Sequence, residues 1–168
     1  MVTSKKKGYF INEIPYGLKG KIFQSPMPFS PYDPENCIWS LYLQKKIDCV
    51  VVLAQKQEML RFAQRDLLKF YKSNKSNVIH YPIPDYQIPM DSQNFNRLIE
   101  DVVNQATLGR HLACHCLAGL GRTGLLIAAI ARKSLGLDGT AAIDWIRDLL
   151  PGSLENKEQE RFIHELII

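Results

Sequence analysis

His115-Cys116-Leu117-Ala118-Gly119-Leu120-Gly121-Arg122-Thr123-Gly124 sets a cysteine and an arginine at the two ends of a glycine-rich turn. Leu112-Ala113-Cys114 precedes it and the apolar run Leu125-Leu126-Ile127-Ala128-Ala129-Ile130-Ala131 follows, so a strand enters the turn and a helix leaves it. A turn so placed lies at a helix N-terminus, where the first backbone N–H groups lack intrahelical partners and the peptide dipoles sum to a positive end. A phosphate dianion or a thiolate is stabilised there. Gly119 and Gly121 permit the dihedrals that turn successive N–H groups inward, and the five residues between Cys116 and Arg122 let the loop close around a tetrahedral anion. A planar guanidinium grips two oxygens of such an anion, which an ammonium group does not do. The loop residues Leu117, Ala118, Gly119, Leu120, Gly121 and Arg122 are therefore the candidate phosphate-binding set, with Cys116 as the nucleophile at its floor.

This stretch resembles the signature of the cysteine-dependent protein tyrosine and dual-specificity phosphatases, which is His-Cys, five residues, Arg, then Ser or Thr. Its tail, Ala118 to Gly124, is similar to the dual-specificity branch that contains the mitotic-exit and kinase-associated phosphatases. The resemblance implies a phosphotyrosine-phosphatase-like three-layer fold and covalent catalysis in two steps through a phosphocysteine, with no metal or organic cofactor. It also implies roles for four more residues. Asp85, within Tyr81-Pro82-Ile83-Pro84-Asp85-Tyr86-Gln87-Ile88-Pro89, stands where the family carries its general acid. Thr123 would stabilise the departing thiolate, His115 would hold the loop and tune the thiol, and Gln159, within Gly152-Ser153-Leu154-Glu155-Asn156-Lys157-Glu158-Gln159, would position the hydrolytic water. Read without the family, two of these positions stay open. Asp85 follows a proline as ordinary turn residues do, with Asp91 a nearby carboxylate that reads as a helix cap. Gln159 also fits a capping box in which it reaches back to the Asn156 N–H.

At 168 residues and 46% hydrophobic composition, one domain spanning 1–168 can bury a substantial core. No apolar run is long enough to span a bilayer, and the opening Met1-Val2-Thr3-Ser4-Lys5-Lys6-Lys7-Gly8 lacks the apolar core of a secretory signal, so no membrane insertion is expected. Four cysteines could make two disulfides, yet a chain of this size needs no staples and a catalytic thiol needs a reducing compartment. All four are expected reduced, in the cytoplasm with the nucleus also open, and Cys37, Cys49 and Cys114 are assigned to packing. His111, Cys114, His115 and Cys116 match no common closed zinc site, because strand alternation sends neighbours to opposite faces. A net charge of +4 suits phosphorylated ligands and falls far below nucleic-acid-binding density. The expected partners are phosphorylated protein substrates, with no nucleic acid, and the expected state is a monomer.

Outward from the signature, short mixed segments at 8–14 and 21–24 read as two strands of a hairpin, and 47–53 and 78–81 as further strands. Helices are predicted from Asp33-Pro34 to about 45, over 58–71, over 92–106 behind an Asp91 cap, and over 123–135, 140–149 and 157–167. The alternation indicates an α/β fold with a central, mainly parallel sheet flanked by helices. The leading functional expectation is a hydrolase of phosphotyrosine, and of phosphoserine and phosphothreonine, in proteins. The alternatives are a phosphatase for phosphoinositides or RNA 5′-phosphates, and a phosphate-binding pseudophosphatase. Leu117 and Leu120, where inositide-directed relatives often carry lysines, count against the first, and retention of Cys116, Arg122 and Asp85 counts against the second.

Overall fold

The computed structural model describes residues 11–168. Five strands, β1 (Asn12–Ile14), β2 (Ile22–Ser25), β3 (Cys49–Val52), β4 (Asn77–His80) and β5 (Leu112–His115), form one sheet in the order β1-β2-β5-β3-β4. Only β1 and β2 pair antiparallel; β2, β5, β3 and β4 run parallel, as the α/β reading requires. The expected hairpin at the start is β1–β2, although the portion of its first strand before Ile11 lies outside the described residues.

β3 is buried at every residue because both of its faces are covered. Cys49 and Val51 join one apolar cluster with Cys114, while Val50 and Val52 join the other with Ala113, as the strand's two-residue period dictates. The first cluster is filled by α4 (Ser92–Thr107), α5 (Gly121–Leu135), α6 (Gly139–Leu149) and α7 (Lys157–Glu165). The second is filled by α1 (Ile38–Gln44) and α3 (Leu67–Ser73), the latter preceded by α2 (Lys56–Glu58) and a π-helical turn at Met59–Ala63. Three layers result. Every residue of α5 from Gly121 to Ala131 is buried, so the helix that leaves the signature runs through the centre of its layer. Among the described residues no helix is long and apolar enough to cross a membrane.

Two helices depart from the sequence reading. The helix expected from Pro34 begins only at Ile38, because the Asp33 carboxylate accepts from the Phe29, Cys37 and Ile38 N–H groups and so fixes a turn before the helix. The single helix expected over 58–71 is interrupted at Gln64, which takes a left-handed φ of 53°, and Asp66 then caps α3 by accepting from the Lys69 N–H at 3.1 Å. The apolar spacing is unchanged across the break, so periodicity alone does not reveal it. Asp91 does cap α4, accepting from the Gln93 and Asn94 N–H groups.

All four parallel strands end on the same edge of the sheet, and ligands of such sheets bind outside those carboxyl ends. The segments that leave β2, β3, β4 and β5 there carry Ser25 to Met27, Glu58, Asp85 and Cys116. Behind that edge, Phe95 is fully buried against the rings of Tyr81 and Phe162, with centroids 5.7 and 5.6 Å away. Phe95→Ala is expected to cost about 3–5 kcal/mol of unfolding free energy, measured by urea denaturation.

Candidate active site

The loop between β5 and α5 is held from outside by its carbonyls. Cys116 C=O accepts from His115 Nδ1 at 3.0 Å, Leu117 C=O from the Met27 N–H at 2.9 Å, and Gly119 C=O from Gln24 Nε2 at 2.8 Å. Leu120 C=O accepts from the Gly124 and Leu154 N–H groups. In a trans peptide the C=O and the next N–H point opposite ways, so anchoring these carbonyls outward turns the N–H groups of Leu117, Ala118, Leu120 and Gly121 to the other side. Leu117, Ala118 and Arg122 line a pocket on the inner side of the loop. Gly119 is at φ +80° and a Cβ there would lie 2.4 Å from Ser25 C=O, so both the turn and the close approach of β2 require glycine. Gln24 is itself oriented by Asn12 Nδ2, which donates to its Oε1 at 2.8 Å.

Cys116 (3% exposed) and Arg122 (1%) line one small pocket together with Asp85, and Tyr32 and Tyr86 stand around them. Burying a guanidinium is costly unless its donors are matched. Here Nη1 donates to Glu58 Oε2 at 2.8 Å and Ile83 C=O at 2.9 Å, and Nη2 donates to Glu58 Oε1 at 2.8 Å. Asp85 Oδ1 lies 3.0 Å from Nη2. Burial works against the charge of Arg122, but the Glu58 hydrogen bonds, with the facing Cys116 and Asp85, outweigh it and raise its pKa. The guanidinium therefore stays charged, with its plane set by Glu58, which also caps α2 through the Gln55 N–H. Glu58 was not among the residues singled out from the sequence. A capping-box spacing from Gln55 was legible, but its partner 64 residues away was not.

His115 lies beneath the loop, fully buried. Because Cys116 C=O can only accept, Nδ1 carries the proton, and Nε2 accepts from the Tyr71 hydroxyl at 3.0 Å. Burial pushes its pKa down to about 4, against the bond to Cys116 C=O, with Arg122 adding to the depression. The imidazole is thus neutral and in one tautomer. The Thr123 hydroxyl, at the start of α5, is buried with no hydrogen-bond partner among the described residues.

Gln159 is fully buried and is not among the residues lining the pocket. Its Oε1 accepts from the Glu155 N–H at 2.8 Å, and its Nε2 donates to Gln87 C=O at 3.3 Å. The capping box is therefore displaced by one residue: Asn156 Oδ1 does accept from the Gln159 N–H, but the return bond goes to Glu155 rather than Asn156. Asn156 Nδ2 donates to Tyr86 C=O at 2.7 Å, so the start of α7 holds the segment that carries Asp85. Glu155, which the sequence reading passed over, is the residue of this stretch that lines the pocket.

Cys37 is half-buried, and Cys49 and Cys114 are buried in the apolar interior, where burial raises the pKa of each of the three thiols. Among the described residues no three His, Cys, Asp or Glu side chains gather closely enough to hold a metal ion.

A mainly parallel sheet whose central strand delivers a Cys-x5-Arg loop to a helix N-terminus is the arrangement of the cysteine-based tyrosine phosphatase fold. The chain belongs to the family described as "Polymorphic toxin system, DSP-PTPase phosphatase", which it matches over residues 38–134. It is 32% identical over 135 residues to the tyrosine-protein phosphatase cdc-14 of Caenorhabditis elegans, covering 80% of this chain and 17% of that protein. It is 28% identical over 120 residues to the cyclin-dependent kinase inhibitor 3 of Mus musculus, covering 71% of this chain and 56% of that one. The chain thus spans about half, or less, of the length of these relatives. Among solved structures, a kinase associated phosphatase with its catalytic cysteine replaced by serine superposes with a TM-score of 0.81 at 21% identity, over 96% of this chain and 95% of that one. Tk-PTP in its active form gives 0.71 at 28% identity, over 88% and 91%.

Two expectations follow from the buried polar groups. In the unfolded chain His115 takes up a proton near pH 6.5 and in the folded protein only near 4, so the unfolded state binds more protons between these values. Stability is lost as pH falls through that window, by about 3 kcal/mol from this residue, and His115→Asn is expected to remove that increment from urea unfolding measured at pH 7 and pH 4. Glu58→Gln leaves Arg122 buried without its matching charge; the expected result is a protein destabilised by about 3 kcal/mol that binds orthovanadate more weakly, read by thermal melting and by titration.

Proposed function

We propose that this chain is a phosphomonoester hydrolase of the dual-specificity type, acting on phosphotyrosine and on phosphoserine and phosphothreonine in proteins through a phosphocysteine. The observation that carries the reading is that Cys116, Arg122 and Asp85 line one pocket in a chain of this family. The relatives, a tyrosine-protein phosphatase and a kinase associated phosphatase, support a phosphoprotein substrate.

In the proposed reaction the phosphoryl oxygens enter the cradle of loop N–H groups from Leu117 to Arg122 and take Nη2 of Arg122, which Asp85 contacts in the free protein. Asp85 is exposed and moves to the leaving-group oxygen, to which it gives a proton as the Cys116 thiolate attacks phosphorus. Thr123 supports this scheme because its buried, unpartnered hydroxyl is available to the sulfur when the thiolate departs in the second step. His115 holds the floor of the loop through the Cys116 carbonyl and takes no part in proton transfer. Gln159 braces Glu155 and the Asp85 segment. No metal or organic cofactor enters any step. The proposed setting is a reducing one, the cytoplasm, where a catalytic thiol persists.

Phosphate release from matched phosphotyrosine, phosphoserine and phosphothreonine peptides, phosphoinositides and triphosphate RNA tests the reading, with Cys116→Ser as the blank. Release from peptides, absent in the blank, is expected; release only from lipid or RNA overturns the substrate class, and peptide binding without any release overturns the reaction. Asp85→Asn is expected to lower kcat by about 10²–10⁴. Asp91→Ala, which removes the cap of α4 and the bond from Asn94 Nδ2, is expected to cost about 1 kcal/mol of stability and to leave kcat unchanged.

A further inference from the structure

A phosphocysteine is cleaved only if a water is held in line with the S–P bond, and among the residues lining the pocket Asp85 and Glu155 are the two carboxylates. Asp85 serves the leaving-group oxygen in the first step. Glu155 enters from a different element, the turn between α6 and α7, which is bonded to the Asp85 segment, and its carboxylate packs on the first residue of α5: a Cβ at Gly121 would lie 1.9 Å from Glu155 Oε2. Gly121 leaves this carboxylate room directly beside the cradle.

The backbone that carries Glu155 is fixed from several sides. Arg147 Nε donates to Ser153 C=O and Nη2 to Leu154 C=O, both at 3.0 Å, and Arg147 is itself paired with Glu160 at 2.7 Å. The Leu154 N–H donates to Leu120 C=O in the signature loop, and Leu154 takes a left-handed φ of 58°. The Glu155 N–H is caught by Gln159 Oε1. The backbone of this turn is thus held in one path while the Glu155 side chain itself stays exposed. Partial burial and the facing Asp85 raise its pKa, while Arg122 pulls the other way.

The geometry points to Glu155 as the catalytic residue that holds the hydrolytic water in the second step, with Gln159 as its positioning residue; this rests on the phosphatase reading. One O–H of the water donates to the Glu155 carboxylate. Its oxygen forms the new bond to phosphorus, the S–P bond breaks with its electron pair returning to Cys116, and the remaining proton passes to Asp85, which gave up its own in the first step. Phosphate and the free thiolate result. Atoms and charge balance without any other reactant.

Rapid-mixing kinetics with p-nitrophenyl phosphate, with acid-quench trapping of the phosphoenzyme, separates the two steps. Wild type is expected to turn over without accumulating phosphoenzyme. Glu155→Ala is expected to release a burst of nitrophenol approaching one per active site, then to turn over about 10²-fold more slowly with phosphoenzyme trapped. Glu155→Gln, whose carbonyl still accepts from water, is expected to recover most of the turnover and abolish the burst, which a merely structural role for the charge does not predict. Glu155→Ala with unchanged turnover, or slowed turnover without a burst or trapped phosphoenzyme, overturns the assignment while wild-type activity stands. A wild-type protein that releases no nitrophenol in a Cys116-dependent way overturns the phosphatase reading itself. Thermal melting of each variant identifies any loss that is only unfolding.

Discussion

A guanidinium that is 1% exposed has to be matched donor by donor, and the match at Arg122 organises the pocket edge of this molecule. Glu58 takes both terminal nitrogens from the β3 side and Ile83 C=O takes one from the β4 side. Two crossover segments are thereby tied to the first turn of α5. Such a pair is weak evidence for net stability, because desolvation offsets much of its attraction. Its value is geometric: it leaves the arginine one orientation, and it brings the Asp85 segment to the same pocket without a covalent link.

The sheet supplies the other half of that placement. β5 lies between β2 and β3, so the segments after its neighbours approach the signature loop from both sides. From β2 come Gln24 and Met27, which hold the carbonyls of Gly119 and Leu117. From β3 comes Glu58. The strand order therefore decides which residues can reach the loop, whatever their distance in the chain.

The signature loop, the parallel sheet and the Asp91 cap were legible because each rests on local rules: glycine and apolar spacing, strand–helix alternation, and a cap two residues before its partner. What was not legible is long-range or degenerate. Glu58 reads locally as a capping residue and only the fold brings Arg122 to it. The break at Gln64 hides behind an unbroken apolar rhythm. Asn156-Lys157-Glu158-Gln159 reads as one capping box, and the choice between Asn156 and Glu155 as the bond partner of Gln159 depends on the path of the turn after Ser153, which Arg147 fixes from another helix. The pocket role of Glu155 follows from that same turn, so it was invisible for the same reason.

The outward anchoring of the loop carbonyls has a thermodynamic consequence for recognition. Four peptide units are already oriented before any anion arrives, so little conformational entropy is surrendered on binding, and the neutral His115 below adds no charge that varies near neutral pH. A host of fixed dipoles welcomes free phosphate on the same terms as a phosphate ester, since neither has to order it. Under the proposed phosphatase function, discrimination between ester and product, and between one ester and another, then falls to whatever touches the organic portion: the rim where Tyr32 and Tyr86 stand, rather than the cradle.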